Sequence, residues 1–385
     1  PDAGQGRLRV RDNAGPGRDV KASPLRLVSL TLRNYRNYAR LQLELGPHLN
    51  VFLGQNAQGK TNLLESVAIL ALSSSPRARR EGDLIGPLAT EALVEAVVET
   101  GGRSVELSLR VSQESERTAK AIRVDGVARR AVDLPGEIQA TLFWPEDLSL
   151  VKGGPEHRRR FLNEMLVQVV RGYGRTLARY RRVLDQRNHL LKRIAAGHEG
   201  RDSLAVWDAE LATLGAALTS ARAEAVLELA PLASANHSAI AAGETLAVGY
   251  EGTALDHAAA LRSAHDEDLR RGTTTVGPHR DDLDIKINGA DARGLASQGQ
   301  QRTAVVSLKL AESDLIEVRS GERPILLLDD VLSELDPIRR EALLARVGGA
   351  GQVIVTSVEA EPFPTELMER ATVRCINGGR VETCG

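Results

Sequence analysis

Residues 54–61 read Gly54-Gln55-Asn56-Ala57-Gln58-Gly59-Lys60-Thr61 and fit the pattern G-x-x-x-x-G-K-[ST]. The apolar run from Leu49 to Leu53 comes directly before them, and a run of helix formers extends from Lys60 to Leu72. A glycine-containing loop between a strand and a helix can wrap a phosphate group with its backbone N–H groups. In such a loop Lys60 reaches the β- and γ-phosphates of a nucleotide, and the Thr61 hydroxyl binds Mg²⁺. We therefore predict that all eight residues bind nucleotide phosphates; the alternative is an ordinary turn before a helix.

An apolar run that ends in two carboxylates supplies a second element of such a site. Residues 325–328 are predicted to form a buried strand, and Asp329 and Asp330 follow it. Nucleotide hydrolases bind Mg²⁺ near the end of a strand and use a further residue to orient the attacking water. We predict that Asp329 and Thr61 hold the metal ion and that Asp330 and Lys60 are catalytic. The alternative is a strand that ends in an acidic turn.

A third segment, Ser297-Gln298-Gly299-Gln300, precedes another predicted helix. A hydroxyl and free backbone N–H groups at a helix start can bind an anion, although the same residues could form only an N-cap and a turn. Together the three segments resemble the head of ABC-type ATPases. The resemblance implies ATP and Mg²⁺ as ligands. It also implies that Ser297, Gly299 and Gln300 complete the ATP site of the opposite subunit of a homodimer.

The remaining sequence predicts an α/β head that is interrupted by helices. Short apolar runs predict strands within residues 25–154, and strands alternate with helices again within residues 272–385. Residues 155–271 are rich in helix formers, with a break near residue 197, which predicts a helical hairpin. The fold class is therefore α/β: an ABC-type P-loop ATPase head with a mixed sheet and an inserted helical-hairpin arm domain. It is similar to SMC and Rad50 heads without their long coiled coils.

The two predicted arms have complementary apolar seams. On the first arm Leu166, Tyr173 and Tyr180 recur every seven residues as part of an a/d pattern. On the return arm apolar residues step by three and four, and Pro231 is expected to end or kink the helix. Arms of roughly 35 residues would project about 50 Å.

Composition excludes several classes of protein. The chain has 385 residues, of which 42% are hydrophobic and 26% are charged, as in ordinary globular proteins. No run approaches the roughly 18 apolar residues of a membrane span. Residues 1–24 lack the apolar core of a secretory signal, so we expect a loose extension there. Cys375 and Cys384 are expected to be ordinary thiols in a reducing cytoplasm.

The net charge of −1 conceals a segregation of charge. Residues 155–193 carry eleven Lys/Arg and three acids, whereas residues 203–270 carry ten acids and three Arg. Guanidinium groups suit phosphate oxygens, and such contacts bind DNA without sequence preference. A solvated helix face is the alternative. We predict that DNA lies against the arginines at the base and on the outer side of the first arm, namely Arg158, Arg159, Arg160, Arg171, Arg175, Arg179 and Arg182.

Seven ordered motifs between about Leu25 and Arg380 resemble those of the RecF family of recombination and repair proteins. They begin at Leu32 (LRNYRNY), Gly54 (GQNAQGKTNLLE), Phe143 (FWPEDL), Gly154 (GPEHRRRFL), Gly277 (GPHRDDL), Ser297 (SQGQQRT) and Leu328 (LDDVLSELD).

The RecF resemblance implies an ATP-dependent, DNA-binding protein of recombinational repair and replication-gap processing in the cytoplasm, at the nucleoid. It implies RecO and RecR as partners, loading of RecA at single-strand/double-strand junctions, and a slow DNA-stimulated ATPase that dimerises with ATP. An ABC transporter ATPase subunit and a metabolic P-loop kinase are the alternatives. Both would use residues 54–61. The kinase has no use for the segment from Ser297 to Gln300 or for inserted helical arms, and the transporter has no use for the motif at Gly154.

Overall fold

The computed structural model describes residues 24–114, 117–198, 200, 203–253, 255–349, 351–361 and 363–384. Apart from Pro24, the predicted extension over residues 1–24 lies outside the described residues. Within these ranges no helix is both long enough and apolar enough to cross a membrane.

A six-stranded mixed sheet carries residues 54–61. Its strands are, in spatial order, β15 (Arg380–Thr383), β14 (Thr372–Asn377), β3 (Leu49–Leu53), β13 (Val353–Ser357), β12 (Ile325–Asp329) and β8 (Ala140–Phe143). All neighbours are parallel except β14 and β15. The sequence predicts β3, β12 and β13 because both of their faces are buried and they read as apolar runs. It misses β8 and the β14–β15 hairpin, which are short and less apolar.

An antiparallel sheet lies beside the mixed sheet. Its strands are, in spatial order, β2 (Tyr38–Glu44), β1 (Arg26–Tyr35), β4 (Glu91–Thr100), β5 (Arg103–Glu114), β6 (Arg117–Val124) and β7 (Val127–Arg129). Helix α1 (Lys60–Leu72) shares one apolar core with both sheets, and its residues 63–71 are all buried. A helix that is buried on all sides needs an apolar sequence around its whole circumference.

The middle of the chain is mostly helical, as predicted. Its helices are α2 (Ser149–Lys152), α3 (Pro155–Val169), α4 (Tyr173–Ala195), α5 (Leu204–Ile240), α6 (His257–Ser263) and α7 (His265–Arg271). The remaining helices belong to the last third of the chain: α8 (Gln298–Ser320), α9 (Val331–Glu334), α10 (Pro337–Gly349) and α11 (Thr365–Met368). Short 3₁₀ turns span Glu81–Leu84, Ala131–Asp133 and Pro145–Leu148.

The first arm is not the continuous helix that the seven-residue repeat from Leu166 to Tyr180 predicts. The chain leaves α3 at Val170, which is extended, and re-enters a helix after Gly172, whose φ of 85° favours glycine. Tyr173 and Tyr180 nevertheless face the same core, and α4 packs along α5. At 1.5 Å per residue α4 spans about 35 Å and α5 about 55 Å.

Pro231 does not end the return arm, because α5 continues through it to Ile240. Pro231 and Leu227, one turn earlier, both lie on the exposed side of α5. A carbonyl that loses its intrahelical partner there is accessible to water, which lowers the cost of the proline.

A three-stranded sheet crosses the predicted domain boundary between residues 271 and 272. It consists of β9 (Leu246–Glu251), β10 (Asp282–Ile287) and β11 (Ala290–Asp291), in the order β11-β10-β9. Its apolar side chains join the core of α3, α4 and α5, as do residues of α8. The helical arms therefore share a core with segments that the sequence assigns to the head.

Cys375 and Cys384 form a disulfide, which contradicts the expectation of ordinary thiols. Their Cα atoms are 5.1 Å apart because β14 and β15 pair antiparallel, which puts the two residues diagonally opposite each other. The expectation of thiols rested on a reducing compartment and did not include the β14–β15 hairpin that brings the two cysteines together.

Arg187 should be a strong determinant of the stability of the helical region. It is fully buried, and it bonds Asp208 of α5, Asp268 of α7 and Thr274. Arg187→Ala leaves the buried Asp268 carboxylate without its cation, so we expect a loss of about 3–5 kcal/mol in the free energy of unfolding. Urea titration followed by circular dichroism measures this loss.

Arg182→Ala, at an exposed position of the same helix, is the matched control and should change stability by no more than about 0.5 kcal/mol. Equal effects of the two substitutions would contradict a structural role for Arg187.

Candidate nucleotide-binding site

Residues 54–59 form a loop at the carboxyl end of β3, and Lys60 and Thr61 are the first two residues of α1. The Lys60 ammonium donates a hydrogen bond of 2.6 Å to the Gly54 carbonyl, and the Lys60 side chain is buried. Gly59 has a φ of 117°, and a Cβ atom there would lie 2.6 Å from the Asn37 side chain. Both the backbone conformation and the available space therefore require glycine at this position.

Two hairpin turns hold the loop from outside. The Gln58 carbonyl accepts hydrogen bonds from the Asn37 side chain and from the Gly379 N–H, both at 3.0 Å. The Gln58 side chain accepts a further bond from the Gly378 N–H, and the Tyr38 hydroxyl donates to the Gly59 carbonyl. The loop shape is thus fixed by the β1–β2 and β14–β15 turns, which the sequence analysis did not connect with it.

The two predicted carboxylates lie at the end of β12. Asp329 accepts a hydrogen bond of 2.8 Å from the Thr356 hydroxyl of β13. Burial raises the pKa of Asp329. Hydrogen bonds from the Thr61 and Thr356 hydroxyls stabilise the ionised carboxylate and act against this rise. Asp330 has a φ of 53°, which is rare for a non-glycine residue and typical of functional sites.

Electrostatics connect Lys60 with the same two carboxylates. Burial lowers the pKa of Lys60, and the negative charges of Asp330 and Asp329 oppose this shift. The structure therefore brings Lys60, Thr61, Asp329 and Asp330 together, as the sequence predicts. An ammonium, a hydroxyl and two carboxylates around a glycine loop are the groups that phosphoryl chemistry with a divalent cation requires.

A buried ion pair behind the loop was missed by the sequence analysis. Glu65 of α1 is fully buried and accepts two hydrogen bonds from the Arg36 guanidinium, at 2.9 and 2.7 Å. Ser75 also donates to Glu65, and Arg77, which is close enough to Asp329 to lower its pKa, lies 3.9 Å from Glu65. The available signal was a glutamate that directly follows Leu63 and Leu64 in a segment predicted to be a buried helix.

The Ser297 segment lies at the start of α8. Ser297 is the N-cap, and its side chain accepts a hydrogen bond from the Gln300 N–H. Within the described residues, no hydrogen bond or ion pair joins residues 297–300 to residues 54–61. The segment also lines a cleft of about 190 Å³ with Asp336 and Arg339.

The predicted DNA-binding arginines fall into three groups. Arg158 is buried and forms a two-fold ion pair with Asp282, and Arg159 donates to the Asp281 carbonyl. Arg160, Arg175 and Arg179 are exposed but pair with Glu164, Asp133 and Glu210 respectively. Arg171 and Arg182 are exposed and form no ion pair within the described part of the chain. The prediction for Arg158 is therefore corrected, because its charge is neutralised inside the protein.

Comparison with known proteins identifies the family. A family model described as "RecF/RecN/SMC N terminal domain" matches residues 26–375. The chain is 39% identical over 371 residues to the DNA replication and repair protein RecF of Listeria monocytogenes serotype 4b, covering 93% of this chain and 100% of the relative. The chain belongs to the RecF family.

Solved structures agree with this assignment. A structure described as the recombination mediator protein RecF-ATP in the RecFOR pathway matches with a TM-score of 0.86 and 30% identity, over 96% of this chain and 100% of that one. The Smc head domain of Pyrococcus furiosus matches with a TM-score of 0.51 and 14% identity, over 93% and 95% of the two chains, and so supports the fold alone. The RecF resemblance and the ATPase-head fold are confirmed, and the transporter and kinase alternatives gain no support.

The two carboxylates of this RecF-family site should have separable effects. Asp330→Asn removes the charge that would orient water, so we expect ATP turnover to fall by about 10²-fold or more while ATP affinity is retained. Asp329→Asn should instead weaken Mg²⁺-dependent binding. Turnover assays and titrations with a fluorescent ATP analogue separate the two outcomes.

Asp185→Asn, an exposed carboxylate on α4, is the control. Normal turnover by the Asp330 variant would assign water activation to another residue.

Proposed function

We propose that this chain is a DNA-dependent ATPase of recombinational repair that acts in the RecFOR pathway at gaps in replicated DNA. The convergence of Lys60, Thr61, Asp329 and Asp330 at the carboxyl ends of β3 and β12 carries the enzymatic part of this proposal. Its membership of the RecF family supports the DNA-repair part, since the RecF relative is described as a DNA replication and repair protein.

Residues 54–61 would bind the phosphates of ATP, and Thr61 and Asp329 would hold Mg²⁺. The fit is chemical: a hydroxyl and a buried carboxylate are hard oxygen ligands, and the raised pKa of Asp329 reflects a carboxylate whose burial a cation would compensate. A bound Mg²⁺ ion would supply charge neutralisation at the phosphates. Lys60 would neutralise charge at the β- and γ-phosphates, and Asp330 would orient the attacking water.

The Ser297 segment would serve the ATP of a second subunit. In its own chain it is not bonded to residues 54–61, and its first-turn N–H groups point away from the helix. Two large apolar side chains beside it, Leu295 and Ile338, are 76% and 70% exposed. Exposed apolar groups next to an anion-binding helix start suit a surface that a second copy covers in the ATP-bound state.

DNA would lie along the exposed side of α4 and the α3–α4 break, where Arg171 and Arg182 are free of ion pairs within the described residues. Arg160, Arg175 and Arg179 could add contacts only by exchanging their present carboxylate partners for phosphate. A dimer would bring two such surfaces together on one duplex. RecO and RecR are the proposed protein partners because the RecF-ATP structure is described within the RecFOR pathway. This work would take place in the cytoplasm, at the nucleoid.

Dimerisation should require both ATP and Ser297. Ser297→Arg puts a bulky cation where the partner's γ-phosphate would lie, so we expect this variant to bind ATP and remain monomeric. Multi-angle light scattering with and without ATP measures the dimer fraction, and Ser104→Arg on the exposed part of β5 is the control. Two results would contradict an ATP site shared between subunits: a dimer fraction that does not depend on ATP, and a Ser297→Arg variant that dimerises as much as the unmodified protein.

DNA affinity should depend on the unpaired arginines more than on the paired ones. Arg171→Glu combined with Arg182→Glu should weaken binding to all sequences alike and reduce the log–log salt slope by about one unit per lost contact. Arg117→Glu combined with Arg123→Glu makes the same charge change at exposed positions of β6 in the antiparallel sheet and should have little effect. Fluorescence anisotropy at several salt concentrations provides the measurement. Equal effects of the two pairs would mean that DNA is not bound by the arm.

A further inference from the structure

The side chain of Gln300 is held at both ends. Its Oε1 accepts a hydrogen bond of 2.9 Å from the Ser297 N–H, which closes a reciprocal capping box at the start of α8. Its Nε2 donates a hydrogen bond of 3.2 Å to Oε1 of Glu244, which lies 56 residues earlier in the chain, between α5 and β9. Gln300 therefore joins the Ser297 segment to a carboxylate from another part of the fold.

Glu244 determines which way the Gln300 amide faces. An ionised carboxylate only accepts hydrogen bonds, so the NH₂ end of the amide must point toward it. The amide oxygen is then the atom that faces the Ser297 N–H. In the reverse orientation two donors would meet at Ser297 and two acceptors at Glu244, so the carboxylate selects the capping geometry.

Two side chains of the described residues contact the Glu244 carboxylate: Gln300 through a hydrogen bond and His237 through a close approach. The second Glu244 oxygen lies 3.4 Å from Nε2 of the buried His237. The Ser307 hydroxyl donates to the Thr303 carbonyl, so the other ring nitrogen of His237 must donate to Ser307. Neither the second Glu244 oxygen nor His237 Nε2 has a hydrogen-bond partner within the described residues. Among the described residues, the hydrogen bond that the Glu244 side chain accepts therefore comes from the Gln300 amide.

We propose that Glu244 is a positioning residue of the ATP site: by orienting Gln300 it fixes the start of α8 in the shape that receives the partner's phosphate. This inference rests on the proposed function. With the Ser297 N–H capped by Gln300, the N–H groups of Gln298 and Gly299 and the Ser297 hydroxyl proton are the donors left at the helix start, with no acceptor among the described residues. A rigid arrangement of such donors binds an oxyanion better than a mobile one.

Variants of Glu244 test the idea in the full-length protein with ATP. Glu244→Ala should raise the apparent dissociation constant of the ATP-dependent dimer by about tenfold, the effect of losing one hydrogen bond to a charged group. ATP affinity of the monomer should change by less than about twofold, because residues 54–61 are untouched. Glu244→Gln retains an acceptor and should recover most of the loss. Glu251→Ala, an exposed glutamate on β9, is the control and should behave as the unmodified protein.

A double-mutant cycle separates positioning from a general structural effect. If Glu244 acts through Gln300, then adding Glu244→Ala to Gln300→Ala should cause no further loss of dimer affinity. Additive losses would overturn the proposal, as would a Glu244→Ala variant that dimerises normally.

Hydrogen exchange without nucleotide distinguishes this inference from the proposed function. Glu244→Ala should accelerate amide exchange in residues 297–301, whereas Glu244→Gln and Glu251→Ala should not. Unchanged exchange would overturn the positioning role even if the unmodified protein dimerises with ATP. Conversely, Glu244→Ala could accelerate exchange although the unmodified protein does not dimerise with ATP. That result would support the Glu244–Gln300 contact and would contradict only the ATP-dependent dimer of the proposed function.

Discussion

The largely buried side chain of Lys60 links three segments of the head. A buried cation is costly unless hydrogen bonds and opposite charges compensate it. Here the Gly54 carbonyl accepts its hydrogen bond, and Asp329 and Asp330 supply the negative charge. This compensation requires β3 and β12 to end at the same edge of one sheet, which their common parallel neighbour β13 ensures. The buried helix α1 and the two hairpin turns around Gln58 then hold the loop in place.

Helix α8 connects this edge to the rest of the molecule. One side of α8, including Val306 and Leu310, packs on the mixed sheet, while Ala304 and Leu308 pack in the core of the helical arms. A single rigid helix therefore shares two cores and carries the Ser297 segment at its start. ATP bound between two subunits would contact the start of α8. Any displacement of α8 would then move the helical arms that carry Arg171 and Arg182, because α8 packs in their core.

Short sequence patterns predicted those parts of the fold that depend on residues close together in the chain. The phosphate loop, the buried strands and the Ser297 cap all follow from short motifs and burial of both strand faces. Contacts between distant residues were not predictable in this way. The sequence predicts Arg158 as an exposed charge, because Asp282, which neutralises it, lies 124 residues later in the chain. The pairing of β9 with β10 across the expected boundary, and that of Cys375 with Cys384 across a hairpin, likewise depend on tertiary geometry.

In the proposed dimer, each ATP site takes residues 54–61 from one subunit and the Ser297 segment from the other. Complementation between two defective subunits tests it most directly: Lys60→Met destroys the first half-site and Ser297→Ala weakens the second. In a one-to-one mixture, heterodimers contain one site built from two intact halves. ATP turnover should therefore rise above the mean of the two variants, toward about a quarter of the unmodified rate if pairing is random. Turnover that equals this mean at every protein concentration would contradict a shared site.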